Sequence, residues 1–237
     1  MEKIISIKEV NKTFQEQKNI VRACKNISFD IYRGEFISVV GESGCGKSTL
    51  MKIITKLEDK NSGEVLYDGI DLTQLKGERL RKSRQKIQML FQDTTATLNP
   101  KMRVYDIISE PLINFKIINK NKRDKKEVAL KYLDKVGLDE SFLNRYSKEM
   151  SGGQRQRVCL ARALTLNPEV LILDEATSAL DILTRDRIIK LIRKIHKENK
   201  LTIIFVCHDL ELVSAISDRV VVMNKGEVVS IAKNLNT

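Results

Sequence analysis

The sequence has no tryptophan, three prolines and four cysteines, and no apolar run nears the roughly 18–20 residues that span a bilayer. A membrane-spanning helix is therefore not expected. The opening Met1-Glu2-Lys3-Ile4 lacks the basic-then-apolar layout of a secretory signal, so a cytosolic place of work is expected. Cys24, Cys45, Cys159 and Cys207 lie far apart, without the paired spacing of zinc or iron–sulfur sites. Cys159 and Cys207 sit in apolar stretches and are expected to be buried thiols acting as small hydrophobes. There is no internal repeat and no low-complexity linker. At 237 residues the chain reads as one large domain, or one core with a subdomain. Aromatic residues are only 5%. None interrupts the densest basic run, Lys120, Lys122, Arg123, Lys125 and Lys126, which argues against a stacking platform for single-stranded nucleic acid. That run reads as a solvated helix start or loop. The net charge of +11 fits nucleic acid, an anionic membrane surface or a lysine-rich background, and by itself chooses none.

What is present is more specific. Phe36-Ile37-Ser38-Val39-Val40 is a short apolar run that reads as a buried parallel strand, and Leu50, Ile53, Ile54 and Leu57 recur at helical spacing. Between them lies Gly41-Glu42-Ser43-Gly44-Cys45-Gly46-Lys47-Ser48-Thr49. A glycine-rich turn between strand and helix aims backbone N–H groups at one point, with a helix N-terminus behind them. Lys47 can reach the β- and γ-phosphates of a nucleotide, and the Ser48 hydroxyl is placed to ligate Mg²⁺. A nucleoside triphosphate is the implied ligand. Cys45 is expected to matter through its backbone more than its sulfur.

A second apolar run, Val170-Leu171-Ile172-Leu173, ends in Asp174-Glu175. At the end of a parallel strand Asp174 can hold the Mg²⁺ shell, and Glu175 can polarise a water for in-line attack on the γ-phosphate. The competing reading is that both acids merely cap the next helix. Ser151-Gly152-Gly153-Gln154 opens a helix carrying Val158, Ala161 and Leu164, which makes a second anion-directed helix start. One nucleotide does not need two cradles, so this one is expected to serve a nucleotide bound to a second copy or a paralogue.

Elsewhere, Ile5, Ile7 and Val10, then Ile27, Phe29 and Ile31, alternate as strands, and Gly63 to Gly69 reads as a strand ending in an Asp-Gly turn. Together they suggest a small antiparallel sheet. Ile87 to Phe91 is a further strand. From about Thr94 to Glu149 the pattern turns helical, with Val104 to Leu112 and Glu127 to Val136 periodic and Pro100 and Pro111 as punctuation. Leu201 to Val206 is a strand, Ile188, Leu191, Ile192 and Ile195 mark a helix face, and Arg219 to Met223 pairs with Glu227 to Ile231 as a hairpin. Strands alternating with helices indicate a mainly parallel sheet covered on both faces. His196, inside a helix, is expected on the surface.

Gly41 to Thr49, Met150-Ser151-Gly152-Gly153-Gln154 and Leu171-Ile172-Leu173-Asp174-Glu175 resemble, in order, the Walker A, signature and Walker B motifs of ABC-transporter ATPases. The resemblance covers nearly the whole chain. It implies an α/β fold: a P-loop NTPase (RecA-like) core, a small antiparallel β subdomain and an inserted helical subdomain. Residues 1–93 and 153–237 would form the nucleotide-binding core, and 94–152 the helical part ending in the signature. By the same resemblance Gln92 is the Q-loop glutamine that meets Mg²⁺ and senses the membrane partner. Asp181, in Ser178-Ala179-Leu180-Asp181, belongs to the D-loop that crosses between paired subunits. His208 is the switch histidine on the γ-phosphate, and Phe14 is either the ring stacked on adenine or a core residue.

The resemblance also implies ATP and Mg²⁺ as cofactors, and ATP held between the phosphate loop of one subunit and the signature segment of another. Implied partners are integral membrane permeases, a second ATPase subunit and, indirectly, an extracellular solute-binding protein, with work at the cytoplasmic face of the membrane. Leu80-Arg81, Ile87 to Asp93 and Leu98-Asn99-Pro100 are similar to the oligopeptide, dipeptide and nickel importer ATPases, although Thr94 stands where those proteins usually have proline. The chain also ends at Thr237 without the C-terminal extension of many of them, so no iron–sulfur cluster is expected. Import of a peptide or a metal chelate is the leading reading. An ABC-type ATPase acting on nucleic acid or the ribosome is the alternative, supported by the basic balance alone, and a stand-alone nucleotide-binding regulator is a third.

Overall fold

The computed structural model describes residues 2–16, 19–91 and 97–233. Gln92 and Thr94 therefore lie outside the described residues. Strands β1 (Lys3–Glu16) and β2 (Asn19–Tyr32) pair antiparallel and, with β4 (Ser62–Tyr67) and β5 (Ile70–Asp71), form a four-stranded antiparallel sheet. The second sheet has six strands in the order β10-β9-β3-β8-β7-β6, from β3 (Phe36–Val40), β6 (Ile87–Leu90), β7 (Val170–Asp174), β8 (Thr202–Cys207), β9 (Arg219–Asn224) and β10 (Glu227–Lys233). All its pairings are parallel except the β9–β10 hairpin.

The three central strands are buried at every position because both faces are covered. Their side chains alternate between two cores. Ile37, Val39, Ile172, Ile204 and Val206 face helix α1 (Lys47–Ile54) and the antiparallel sheet. Phe36, Val40, Leu171, Leu173 and Phe205 face the other helices. These include α3 (Val104–Asn114), α4 (Lys122–Lys135), α5 (Gly152–Leu164) and α6 (Ile182–Asn199), whose Ile188, Ile192 and Ile195 are buried as their spacing requires.

Two helices have no counterpart in the sequence pattern. Helix α2 (Gly77–Lys86) carries Leu80 as its one apolar residue and so has no periodic face to read. Helix α7 (Leu210–Ile216) is too short to establish a period. Pro111 does not break the chain as its punctuating place suggests: it lies inside α3. Proline removes one N–H there, while Val104, Tyr105, Ile107, Ile108 and Leu112 keep the helix docked by burial. The basic run does open a helix: Asn121 caps α4, its side-chain oxygen accepting from the Asp124 N–H at 2.9 Å. The surface expectation for His196 is corrected. Lys200 turns the chain at φ 50° after α6, bringing the Leu201 carbonyl 2.7 Å from Nδ1 of His196, whose half-buried ring meets Phe36 edge-on at 5.4 Å.

Candidate functional site

The loop from Gly41 to Gly46 joins the end of β3 to the start of α1. Gly46 caps α1 at φ 104°, and a Cβ there would overlap the carbonyl oxygen of Ala23 on β2. Only glycine satisfies both constraints. The Cys45 carbonyl accepts the Gly226 N–H at 3.1 Å, so the hairpin turn between β9 and β10 braces the loop from behind. Cys45 is buried, its Sγ 3.9 Å from Nζ of Lys47, and Glu42, Ser43 and Gly44 form the exposed lip. Lys47 is 3% exposed and donates to the carbonyls of Gly41 and Glu42 at 2.8 Å each. Thr49 is half-buried in the first turn of α1.

Strands β3 and β7 flank β8 and all three run parallel, so their ends lie along one edge of the sheet, and this brings the two distant motifs together. Ser48 Oγ donates to Asp174 Oδ1 at 2.9 Å across 126 residues of chain. Asp174 is 5% exposed. Burial raises its pKa and the adjacent Glu175 carboxylate adds to the rise, against the Ser48 hydroxyl and the charges of Lys52 and Lys47. Glu175 Oε1 stands 4.0 Å from the Lys47 ammonium. The backbone of Glu175 occupies the left-handed region at φ 48°, costly for a non-glycine residue. It is held there from both sides: its N–H donates to the Val206 carbonyl at 3.0 Å, and its carbonyl accepts from the Ser178 N–H at 3.1 Å and hydroxyl at 2.9 Å. His208 is exposed, one residue past the end of β8.

Ser151 caps α5 in a reciprocal box: its Oγ accepts from the Gln154 N–H at 3.3 Å, and Gln154 Oε1 accepts from the Ser151 N–H at 2.9 Å. Gly153 is buried against Thr184, and Gly152 sits beside Leu180. This segment thus packs on the opening of α6, where exposed Asp181 accepts from the Thr184 N–H at 3.0 Å. The backbone donation from Thr184 holds the Asp181 carboxyl below its usual range. Phe14, on β1, is half-buried opposite Val21, with the Lys12 ammonium 4.6 Å from its ring centre. The structure therefore brings Lys47, Ser48, Asp174 and Glu175 into one cluster, sets His208 just past the end of β8, which lies between β3 and β7, and places Ser151 to Gln154 with Asp181 on a separate rim.

Two contributors escaped the sequence reading. Gln156 is 3% exposed, and its side-chain amide donates to the carbonyl of Ala176, tying α5 to the segment just after Glu175. Its signal was a polar residue sharing a helix face with Gly153 and Leu160. Arg185 pairs with Asp209 at 3.1 Å, linking the first turn of α6 to the cap of α7 beyond His208. Nothing in local spacing announces that pair.

The cluster fits a divalent cation bound beside phosphate. Ser48 and Asp174 converge two hard oxygen donors, and burial makes a cation the natural means of keeping Asp174 ionised.

Comparison with known proteins agrees with this geometry. Residues 24–178 match the family described as ABC transporter. The chain is 45% identical over 230 residues to the oligopeptide transport ATP-binding protein OppF of Streptococcus mutans, covering 97% of this chain and 74% of that protein. It is 43% identical to the dipeptide transport ATP-binding protein DppF of Lactococcus lactis, covering 97% and 74%. Among solved structures, the dimeric post-hydrolysis state of the ATP-binding cassette MJ0796 with ADP and Pi superimposes with a TM-score of 0.88 at 34% identity, over 99% of this chain and 100% of that one.

Proposed function

Because the chain belongs to the ABC transporter family, we propose that it powers the import of peptides, working as one of two paired ATPase subunits on the cytoplasmic face of the cell membrane. It is an ATP-binding, ATP-hydrolysing subunit of such a transporter. One observation carries the mechanism: Lys47, Ser48, Asp174 and Glu175 meet in one cluster, while the Ser151–Gln154 cradle packs elsewhere, on α6.

In this reading the phosphate loop, Gly41 to Thr49, wraps the phosphates, and Lys47 exchanges loop carbonyls for β- and γ-phosphate oxygens. The half-buried ring of Phe14 receives the base. Ser48 and Asp174 would hold a magnesium ion, with Gln92 assigned to the same shell; when bound, the ion supplies positive charge opposite the phosphate oxygens. Glu175, fixed through its backbone, orients the attacking water, and His208 contacts the γ-phosphate from the end of β8. Ser151, Gly152, Gly153, Gln154 and Asp181 complete the nucleotide site of the paired subunit. Such positioned charges and dipoles act on the transition state rather than on ground-state binding.

The division into a core of residues 1–93 and 153–237 and a helical part of 94–152 gives the coupling a physical place. A groove of about 500 Å³ runs between α2 and α3, lined by Leu80, Arg81, Arg84, Pro111 and Phe115 among others. It is the proposed seat of a permease segment. Among the described residues no helix is long and apolar enough to cross a membrane.

The test is reconstitution in vesicles with the co-purifying permeases and binding protein. ATP-dependent accumulation of labelled oligopeptide is expected. Accumulation of a metal chelate but no peptide would reassign the cargo, and retention on RNA without any membrane partner would remove the transporter reading.

A further inference from the structure

We propose that the loop between α3 and α4 is a docking surface for the anionic headgroups of the membrane leaflet. Lys116, Ile117, Lys120, Lys122 and Arg123 would rest on lipid beside the permease. The proposal rests on the transporter reading and adds a second attachment to it.

The argument begins with charge. No acidic residue occurs from Pro111 to Arg123, while Lys116, Lys120, Lys122 and Arg123 are all exposed. Their neighbours are already engaged: Lys125 pairs with Asp106 at 2.8 Å, and Lys126 lies 5.8 Å from the Tyr105 ring centre. The four outer cations have no ion-pair partner among the described residues. Lys122 and Arg123 also stand in the first turn of α4, where the helix dipole disfavours positive charge. Helix stability does not explain their presence.

The backbone then shows that the loop is built rather than slack. The Lys116 N–H donates to the Ile113 carbonyl at 2.9 Å and the Ile117 N–H to the Leu112 carbonyl at 2.8 Å. With Lys116 at φ 58°, this is a Schellman termination carrying lysine where glycine is the usual residue. In that motif the residue after the turn commonly packs back on the helix. Here Ile117 is 52% exposed instead. At the other end Asn121 caps α4. A fixed turn thus presents an exposed isoleucine on a segment that also carries four exposed cations. The combination suits an interface that accepts an apolar side chain among phosphates.

Position supplies the orientation. Phe115, immediately before Lys116, lines the groove assigned to the permease, and Arg81 stacks on it 4.7 Å from the ring centre. A surface continuous with a permease seat faces the bilayer. A nucleic-acid partner is the weaker match because no aromatic side chain lies between Lys116 and Arg123.

The test is co-sedimentation of the purified full chain with vesicles of 30% phosphatidylglycerol in phosphatidylcholine, and with phosphatidylcholine alone. Binding to the anionic vesicles that 0.5 M salt abolishes is expected. A K116Q/K120Q/K122Q/R123Q variant should lose at least tenfold in partition, and Ile117→Ser a few-fold, both with unchanged ATPase rate. A K190Q/K194Q/K197Q/K200Q control, which removes equal charge from α6 and its end, should partition as the parent does. Equal losses in both quadruple variants, or no loss in either, would overturn the proposal. So would a tenfold loss on polyuridylate with vesicle binding intact. Failure of the complex reconstituted with its permeases to hydrolyse ATP would instead strike the transporter reading and leave the vesicle result to stand by itself.

Discussion

The phosphate loop and the Ser151–Gln154 segment are both helix starts offering N–H groups to an anion, yet they are built in opposite ways. The first is closed in by its own chain: Gly46 lies against Ala23, Cys45 is braced by Gly226, and Lys47 is almost fully buried. The second is held by a local capping box and by contacts at Leu180 and Thr184, with Ser151 exposed. A half-site locked into the core suits a ligand held continuously. A half-site resting on a rim suits a ligand brought to it by another molecule. The contrast is local as well as tertiary: Gly46 starts α1 in the left-handed region with no side-chain cap, whereas Ser151 starts α5 extended and capped by its own hydroxyl.

The sharpest way to break this comparison is at the locked half. Glu175→Gln is expected to lower turnover at least ~100-fold while ATP affinity changes less than about threefold, measured by single-turnover hydrolysis and by binding of a fluorescent nucleotide analogue. Full-rate hydrolysis by this variant would remove Glu175 from the water-orienting role. Next in size, Gly46→Ala forces a Cβ into the Ala23 carbonyl and should cost more than ~2 kcal/mol in urea unfolding, with loss of nucleotide binding. Gly152→Ala meets only ordinary contacts at 3.6 Å and should unfold within ~0.5 kcal/mol of the parent while still lowering ATPase activity of the pair. If the two alanines destabilise alike, the contrast between locked and resting half-sites is wrong. Ser151→Ala removes a cap and should cost ~1 kcal/mol. Mixed with an equal amount of Glu175→Gln chain, it should restore about a quarter of the composite sites if sites are shared across the pair, and none if each chain completes its own.

The smallest effect comes from a change remote from both halves. Glu169, beside the start of β7, receives Lys86 at 2.8 Å, Arg33 at 2.7 Å and Tyr67 at 3.0 Å. Burial pushes its carboxyl upward, but those donors prevail and bring its pKa down to about 2. A carboxylate lowered on folding stabilises the protein above its unfolded value, near 4.5, and that contribution fades as pH falls toward 2. The difference in melting temperature between the parent and Glu169→Gln should therefore be full at pH 6 and shrink below pH 4. ATPase activity at neutral pH should be unchanged. A difference constant from pH 6 to pH 3 would remove the ionic origin.

Much of this architecture was legible in the chain. Strands β3, β7 and β8 are buried on both faces, so each reads as a nearly continuous apolar run whose end marks the site, broken within β3 by Ser38. The cluster of Lys47, Ser48, Asp174 and Glu175 followed from placing two such ends on one sheet. Helix α2 was hidden because its stability comes from docking a polar segment rather than from an apolar face. His196 was misplaced because its carbonyl partner arrives only after the αL turn at Lys200. Gln156 and the Arg185–Asp209 pair depend on contacts between segments about 20 residues apart, which no local pattern encodes.

One backbone hydrogen bond has a mechanical consequence. The Val206 carbonyl that receives the Glu175 N–H belongs to the strand that carries His208 two residues later. Glu175 and His208 therefore share one footing: β8 is laddered to both β3 and β7, so the two backbones keep a common register with the loop that follows β3.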